Sequence, residues 1–214
     1  MIGSSIHIRG VSTGEKLQHW EVLLEEWCFL IERYCRITNG EEYPFAFTER
    51  ANVGILSGAA WRTGRIALEE FQDEKCKNGQ KGQYGRVDLW MSGDEMHYPE
   101  SGEFIEAKYK EIKLFEKNEN LEPVLKAAYK DAKDSQNKDS EIDAIGVAFF
   151  PLWVNKSNFY SQKDQLSCLG TFIEKIKNID SDAMAFCFPQ QCLNSEANDK
   201  GNIYPGIVLL AKKV

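Results

Sequence analysis

Three residues in two neighbouring stretches have the types and spacing that hydrolysis of a phosphoester needs. In GRVDLWM, Asp88 alternates with Val87 and Leu89; in EFIEAKYKEI, Glu106 and Lys108 are one residue apart. If both stretches are strands, alternation puts Glu106 and Lys108 on one face and brings the Asp88 carboxylate near from the adjacent strand. Two such carboxylates suit a hard cation, because Mg²⁺ takes one or two carboxylates and completes its shell with water and phosphate oxygens. The cation acidifies a bound water and stabilises charge on phosphorus. A lysine two residues on, pointing the same way, can orient or deprotonate that water or stabilise the developing charge. Without a cation the two acids repel each other.

The competing possibility is a solvated cross-strand charge network, which contributes about 0.2–1 kcal/mol. The tripeptide itself does not choose between them. Four acidic-x-Lys triplets occur: Asp73-Glu74-Lys75, Glu106-Ala107-Lys108, Glu111-Ile112-Lys113 and Asp131-Ala132-Lys133. Only the one at 106–108 combines strand character, a one-residue spacer and a preceding strand bearing an outward Asp.

The elements that must position these groups follow from periodicity. Leu17, Trp20, Leu24, Trp27, Ile31 and Tyr34 recur at three- and four-residue steps, so 14–37 is an amphipathic helix that stops at Asn39-Gly40. A second helix starts at Thr48, whose hydroxyl caps the first amides, and runs to Thr63-Gly64. Its Gly54, Ser57, Gly58, Ala59 and Ala60 disfavour the helix intrinsically or leave it thin, so close packing must compensate. Three strands follow, RIALEEFQDEK, GRVDLWM and EFIEAKYKEI, separated by KNGQKGQYG and SGDEMHYPESG. Val87, Leu89 and Met91 form the apolar face of the second strand, and Ile105, Ala107 and Tyr109 that of the third. LEPVLKAAYKDAKDS is a helix with Pro123 in its first turn, and IDAIGVAFFPLWV is a buried strand. A helix near KDQLSCLGTFIEKIKNI and two strands, DAMAFCFP and YPGIVLLAKKV, complete the chain. The expected architecture is α/β, with helices on a mixed sheet.

In that order of elements the chain resembles the PD-(D/E)xK nuclease superfamily, to which restriction endonucleases and Holliday-junction resolvases belong. The resemblance covers roughly residues 47–155 and implies an αβββαβ core, to which the N-terminal helix is an addition and residues 156–214 supply further sheet. It rests on a helix carrying a Glu, three strands with Asp on the second and Glu-x-Lys on the third, then a helix and a buried strand. FTERANVG places Glu49 where the resolvase-like branch has a metal-binding Glu, VDLW supplies Asp88, and IEAK supplies Glu106 and Lys108. The implied activity is Mg²⁺- or Mn²⁺-dependent phosphodiester hydrolysis, with Glu49, Asp88 and Glu106 on the metal and Lys108 beside it. Val87 stands where the family's name has proline. Glu49 also has a structural role open to it, since an acid in a first helical turn is favoured by the helix dipole.

Composition narrows the rest. The 214 residues suit one domain, and 43% hydrophobic with 12% aromatic residues leave little room for disorder. No run approaches the roughly 20 apolar residues of a membrane span, and the N-terminus lacks a secretory h-region, so the expectation is a cytoplasmic protein. The six cysteines (Cys28, Cys35, Cys76, Cys168, Cys187, Cys192) form no CxxC pair and read as reduced core residues. A net charge of −7 excludes a passive nucleic-acid coat but not an enzyme with local phosphate contacts. Arg62, Arg65, Lys75, Lys77, Lys81 and Arg86 give 62–86 a local excess over its four acids, and Lys110 and Lys113 lie further on. Glu69 and Glu70 border the site, and Trp90 is a candidate base-stacking residue set against ordinary packing. His7, His19 and His97 have no metal spacing, and no phosphate loop or nucleophile elbow occurs. Two functions remain: a DNA endonuclease of defence, restriction or repair, or an inactive nuclease-fold subunit that works through a protein partner. A homodimer is compatible with either.

Overall fold

The computed structural model describes residues 8–77, 80–93, 102–114, 116, 120–136, 142–158 and 162–214. β1 (Ile8–Thr13) passes through a 3₁₀ turn at Glu15–Trp20 into α1 (Glu21–Ile37), and α2 (Glu49–Arg62) follows. Next come β2 (Ala67–Lys77), β3 (Gln80–Ser92), β4 (Gly102–Tyr109), the two-residue β5 (Ile112–Lys113), α3 (Glu122–Ser135) and β6 (Asp143–Asn155). α4 (Gln162–Ile176), β7 (Ala183–Phe188), the one-turn α5 (Gln190–Leu193) and β8 (Asn202–Lys213) end the chain.

All eight strands share one sheet in the order β1-β7-β8-β6-β4-β3-β2, with β5 beside β6. β4 and β6 run parallel, from Glu103↔Asp143 to Tyr109↔Phe149, while β2, β3 and β4 form an antiparallel meander. The first strand pairs with the seventh, Ile8↔Phe188 through Thr13↔Ala183. The fold is therefore α/β around a mixed sheet. Among the described residues no helix is long and apolar enough to cross a membrane.

Both faces of the sheet are covered, and the side-chain clusters show by what. Leu24, Trp27 and Ile31 of α1 and Val53, Leu56 and Ala60 of α2 pack with Leu89, Ile105, Ala107, Val147 and Leu209. Leu125 of α3 and Leu169, Ile173 and Ile176 of α4 pack on the other face with Ala148, Phe150, Val208 and Leu210. The glycines of α2 are not forced by crowding: a Cβ on Gly58 would stand 3.6 Å from Leu30 of α1 and one on Gly54 would stand 3.9 Å from the Glu69 carboxylate, both ordinary contact distances. α3 presses harder, because a Cβ on Gly146 of β6 would lie 2.3 Å from the Tyr129 backbone nitrogen.

The structure departs from the sequence pattern in three ways. β1, β5 and α5 are additional elements, the first with a glycine (Gly10) over which the Phe186 ring lies too close for any Cβ. β3 starts at Gln80, so the β2–β3 hairpin takes in residues expected to form a loop. The face of β4 bearing Glu106 and Lys108 is covered by α3, with Phe104 buried against Ala132, and Val87 joins that cluster instead of the apolar face it was expected to share with Leu89 and Met91. Cys28, Cys35, Cys187 and Cys192 are buried free thiols, as their apolar neighbours suggest, and Cys168 is half-buried; the Cys76 side chain is outside the described residues.

Candidate functional site

The β3–β4 ladder pairs Ser92 with Gly102 and runs to Leu89 opposite Ile105, where it stops. A continued ladder would set Asp88 against Glu106 and Val87 against Ala107. It stops because β3 turns over at Asp88. Leu89 and Met91 face the α1–α2 core, whereas Val87 faces α3, although strict alternation would keep all three together. β2 turns with it: Glu69 pairs with Leu89 and Phe71 with Val87, and between them Glu70 adopts φ 51°, unusual for a residue with a Cβ. β3 and β4 part beyond this point, while β2 and β3 stay paired.

Parting leaves the β4 edge with amides that no strand partners, and such groups must find acceptors. The Ala107 N–H donates to Asp88 Oδ2 at 2.8 Å. The Glu49 carboxyl lies close enough for the Tyr109 amide, Asp88 and Lys108 all to influence it. The opening between β3 and β4 is what lets a carboxylate from the α2 side and a lysine from the α3 side meet.

α2 delivers Glu49 through its own N-terminus. Thr48 Oγ1 accepts the Ala51 N–H at 3.1 Å, the expected cap. Buried Asn52 donates to the carbonyls of Phe45 and Thr48 at 2.9 and 2.8 Å, and the Tyr109 hydroxyl donates to the Ala46 carbonyl at 3.1 Å, tying the approach to α2 onto β4. Burial pushes the Glu49 carboxyl above the ordinary glutamate value, and the Asp88 charge pushes it further. Lys108 and the Tyr109 amide oppose this, and Asp131 adds to it.

Lys108 extends to α3, where its Nζ lies 2.5 Å from Asp131 Oδ2. Burial alone would lower its pKa, but the hydrogen bond and charge of Asp131, with the charges of Glu49 and Asp88, prevail and raise it. The side chain is an ammonium. An ammonium there suits charge stabilisation and orientation.

Glu106 has a different setting. Its carboxylate is 4% exposed and accepts the Ser135 hydroxyl at 2.5 Å, so it is directed at α3. The four expected residues thus divide: Glu49, Asp88 and Lys108 share the opening, and Glu106 anchors its strand against the helix. Among the described residues no three His, Cys, Asp or Glu side chains form a ready-made ligand set. The donors nevertheless fit a hard divalent cation, being carboxylate oxygens only, and the Glu49–Asp88 repulsion is what such a cation relieves.

The sequence pattern missed Asp131 and Ser135. Their signal was the helical phase of α3, whose buried Leu125, Ala128, Ala132 and Ser135 define the stripe facing the sheet. Asp131 belonged to a triplet weighed only as a competitor of 106–108.

The surrounding charges sort differently from expectation. Arg65 is 3% exposed, donates to the His19 carbonyl at 2.8 Å and pairs with buried Glu103, which also accepts from Trp20 and lies 2.6 Å from His19 Nε2. That cluster fastens the 3₁₀ turn to β4 and offers nothing to a phosphate. Arg62 is paired with Glu26, and Lys113 lies over the Trp153 ring. Arg50 and Arg86, both exposed, flank Glu70 at 3.5 and 3.4 Å beside the opening. Trp90 packs with Phe104 and Val87 and closes over Gly102, so packing describes it. His7 and His97, and the side chains of Lys75, Lys77 and Lys81, lie outside the described residues. Comparison of the chain with protein-family models, with curated proteins and with solved structures returned no match.

Proposed function

We propose that this protein is a divalent-cation-dependent phosphodiesterase of the PD-(D/E)xK type that cleaves DNA. One observation carries the reading: Asp88 of β3 takes up the Ala107 amide of β4 beside Lys108, and Glu49 of α2 lies where both charges bear on it. The succession α2, β2, β3, β4, α3, β6, with β4 parallel to β6, supports it as the order of the αβββαβ core.

Mg²⁺ or Mn²⁺ would be held by Asp88 and Glu49, with Glu106 the third acid near by, and would supply an acidified water and charge neutralisation at phosphorus. Lys108 Nζ, kept protonated, donates to the phosphoryl oxygens as negative charge builds on them. Attack of that water on phosphorus breaks one ester bond and leaves a phosphate monoester and a hydroxyl.

The test is cleavage of supercoiled and linear DNA in Mg²⁺ or Mn²⁺ by the wild type, Asp88→Asn and Lys108→Met. Loss of about 10²–10³ in rate in both variants, with unchanged circular dichroism, is the expected result. Equal cleavage by all three overturns the assignment. A second reading, a non-catalytic subunit acting through a protein partner, is favoured by the turn of Glu106 into α3. Calorimetry separates the two: a Mn²⁺ signal lost in Asp88→Asn belongs to the enzyme, and no signal at millimolar metal belongs to the scaffold.

A further inference from the structure

We propose that Asp131 and Ser135 of α3 act as a pair of positioning residues that set Lys108 and Glu106 for catalysis, an inference that rests on the phosphodiesterase reading. The contacts are direct: Lys108 Nζ lies 2.5 Å from Asp131 Oδ2, and Ser135 Oγ donates to Glu106 Oε1 at 2.5 Å. Their register has a simple geometric cause. Residues four apart on a helix are separated by about 6 Å along its axis. Alternate residues of a strand are separated by about 6.6 Å. An i, i+4 pair on α3 therefore matches an i, i+2 pair on β4, and one helix grips both members of the Glu-x-Lys triplet at once.

The grip is stiff because α3 has no room to drift. Ala128 and Ala132 are fully buried, and the helix backbone rests directly on Gly146 of β6. Ser135 is 3% exposed, so the bond it makes to Glu106 is shielded from water and fixes which carboxylate oxygen remains for other partners. Asp131, by contrast, is half open to solvent, and an ion pair so exposed adds little to stability. Its effect is on where the ammonium sits. Without Asp131, a lysine with four rotatable bonds would sample positions away from the opening.

The experiment compares Asp131→Asn, Asp131→Glu and Ser135→Ala with wild type in steady-state DNA cleavage, alongside site-resolved acylation of lysines read by mass spectrometry. Asp131→Asn is expected to lower kcat about tenfold or more with KM changed less than twofold. Asp131→Glu is expected to recover most of that loss, and Ser135→Ala to raise the Mg²⁺ concentration needed for half-maximal rate. Lys108 is expected to acylate several-fold faster in Asp131→Asn at an unchanged melting temperature. Wild-type kcat in Asp131→Asn together with an unchanged Mg²⁺ requirement in Ser135→Ala, or an unchanged Lys108 acylation rate, overturns the proposal. A wild type that cleaves no DNA sinks the phosphodiesterase reading instead, while the acylation rate still decides whether Asp131 holds Lys108.

Discussion

Gly146→Ala tests whether the site depends on the seating of α3. Gly146 lies near the start of β6, pairs with Glu106 of β4 and Lys212 of β8, and carries the helix directly over it. A methyl group built there stands 2.3 Å from the Tyr129 nitrogen, 2.5 Å from the Ala128 carbonyl carbon and 2.6 Å from the Tyr129 Cα. All three are backbone atoms, so no side chain can swing aside. Restoring a contact of about 3.5 Å requires the helix to retreat by roughly 1 Å. Overpacking of this kind costs about 1–3 kcal/mol, and a protein of this size loses about 2–4 °C of melting temperature per kcal/mol. Thermal unfolding followed by circular dichroism should therefore show a fall of roughly 2–12 °C. The same retreat moves Asp131 and Ser135, which lie two and six residues beyond Tyr129 on that helix. A displacement near 1 Å in a catalytic constellation lowers turnover by about 10²-fold. A variant with wild-type melting temperature and wild-type cleavage would show that the helix is not held where the packing puts it, and would remove the physical basis for coupling α3 to the site.

Three other perturbations follow from the same geometry. Glu49→Gln is expected to melt at a higher temperature than wild type at pH 7: a carboxyl with a raised folded pKa costs stability once ionised, and the cost grows as pH rises from the ordinary glutamate value through the raised one. The difference should vanish below pH 4 and shrink when Mg²⁺ is added; melting scans across pH check both, and a gap that persists at pH 3 refutes it. Arg65→Met strips a buried guanidinium from equally buried Glu103 and should cost about 3–5 kcal/mol, measured by urea unfolding. Arg50→Ala with Arg86→Ala should flatten the salt dependence of DNA binding by nearly two in log–log slope, measured by fluorescence anisotropy with Lys108→Met protein, if both arginines contact phosphates.

Much of the scaffold was legible in the sequence because its signals are local. Thr48 caps α2, Pro123 opens α3, and the stripe from Leu24 to Ile31 buries as its helical spacing requires, whereas Leu17 and Trp20 are buried from a kinked 3₁₀ turn and not from the helix expected over 14–37. β1 was not legible, since IRGVST lies at an edge and its partner is some 170 residues away in β7. Asp88 and Lys108 could be picked out by alternation, yet alternation misplaces Val87, because the turn of β3 at Asp88 depends on the matching distortion at Glu70 in β2. Glu106 shows the converse. Its position on the strand was readable, but its direction depends on Ser135, which belongs to a helix whose docking the strand pattern does not encode. Side-chain destinations set by another element were the part that local pattern withheld.

The pairing of β1 with β7 also has a consequence for how the chain folds. Residues 8–13 cannot complete their hydrogen bonds until 183–188 have left the ribosome, so the β1–β7 seam, on which α1 packs as well as on α2, closes late. Such long-range closure slows folding and prolongs the exposure of sticky surface. During synthesis the amino-terminal forty residues are the segment that a holdase chaperone would meet, and a release of aggregation on co-expressing one would mark this seam as the last to close.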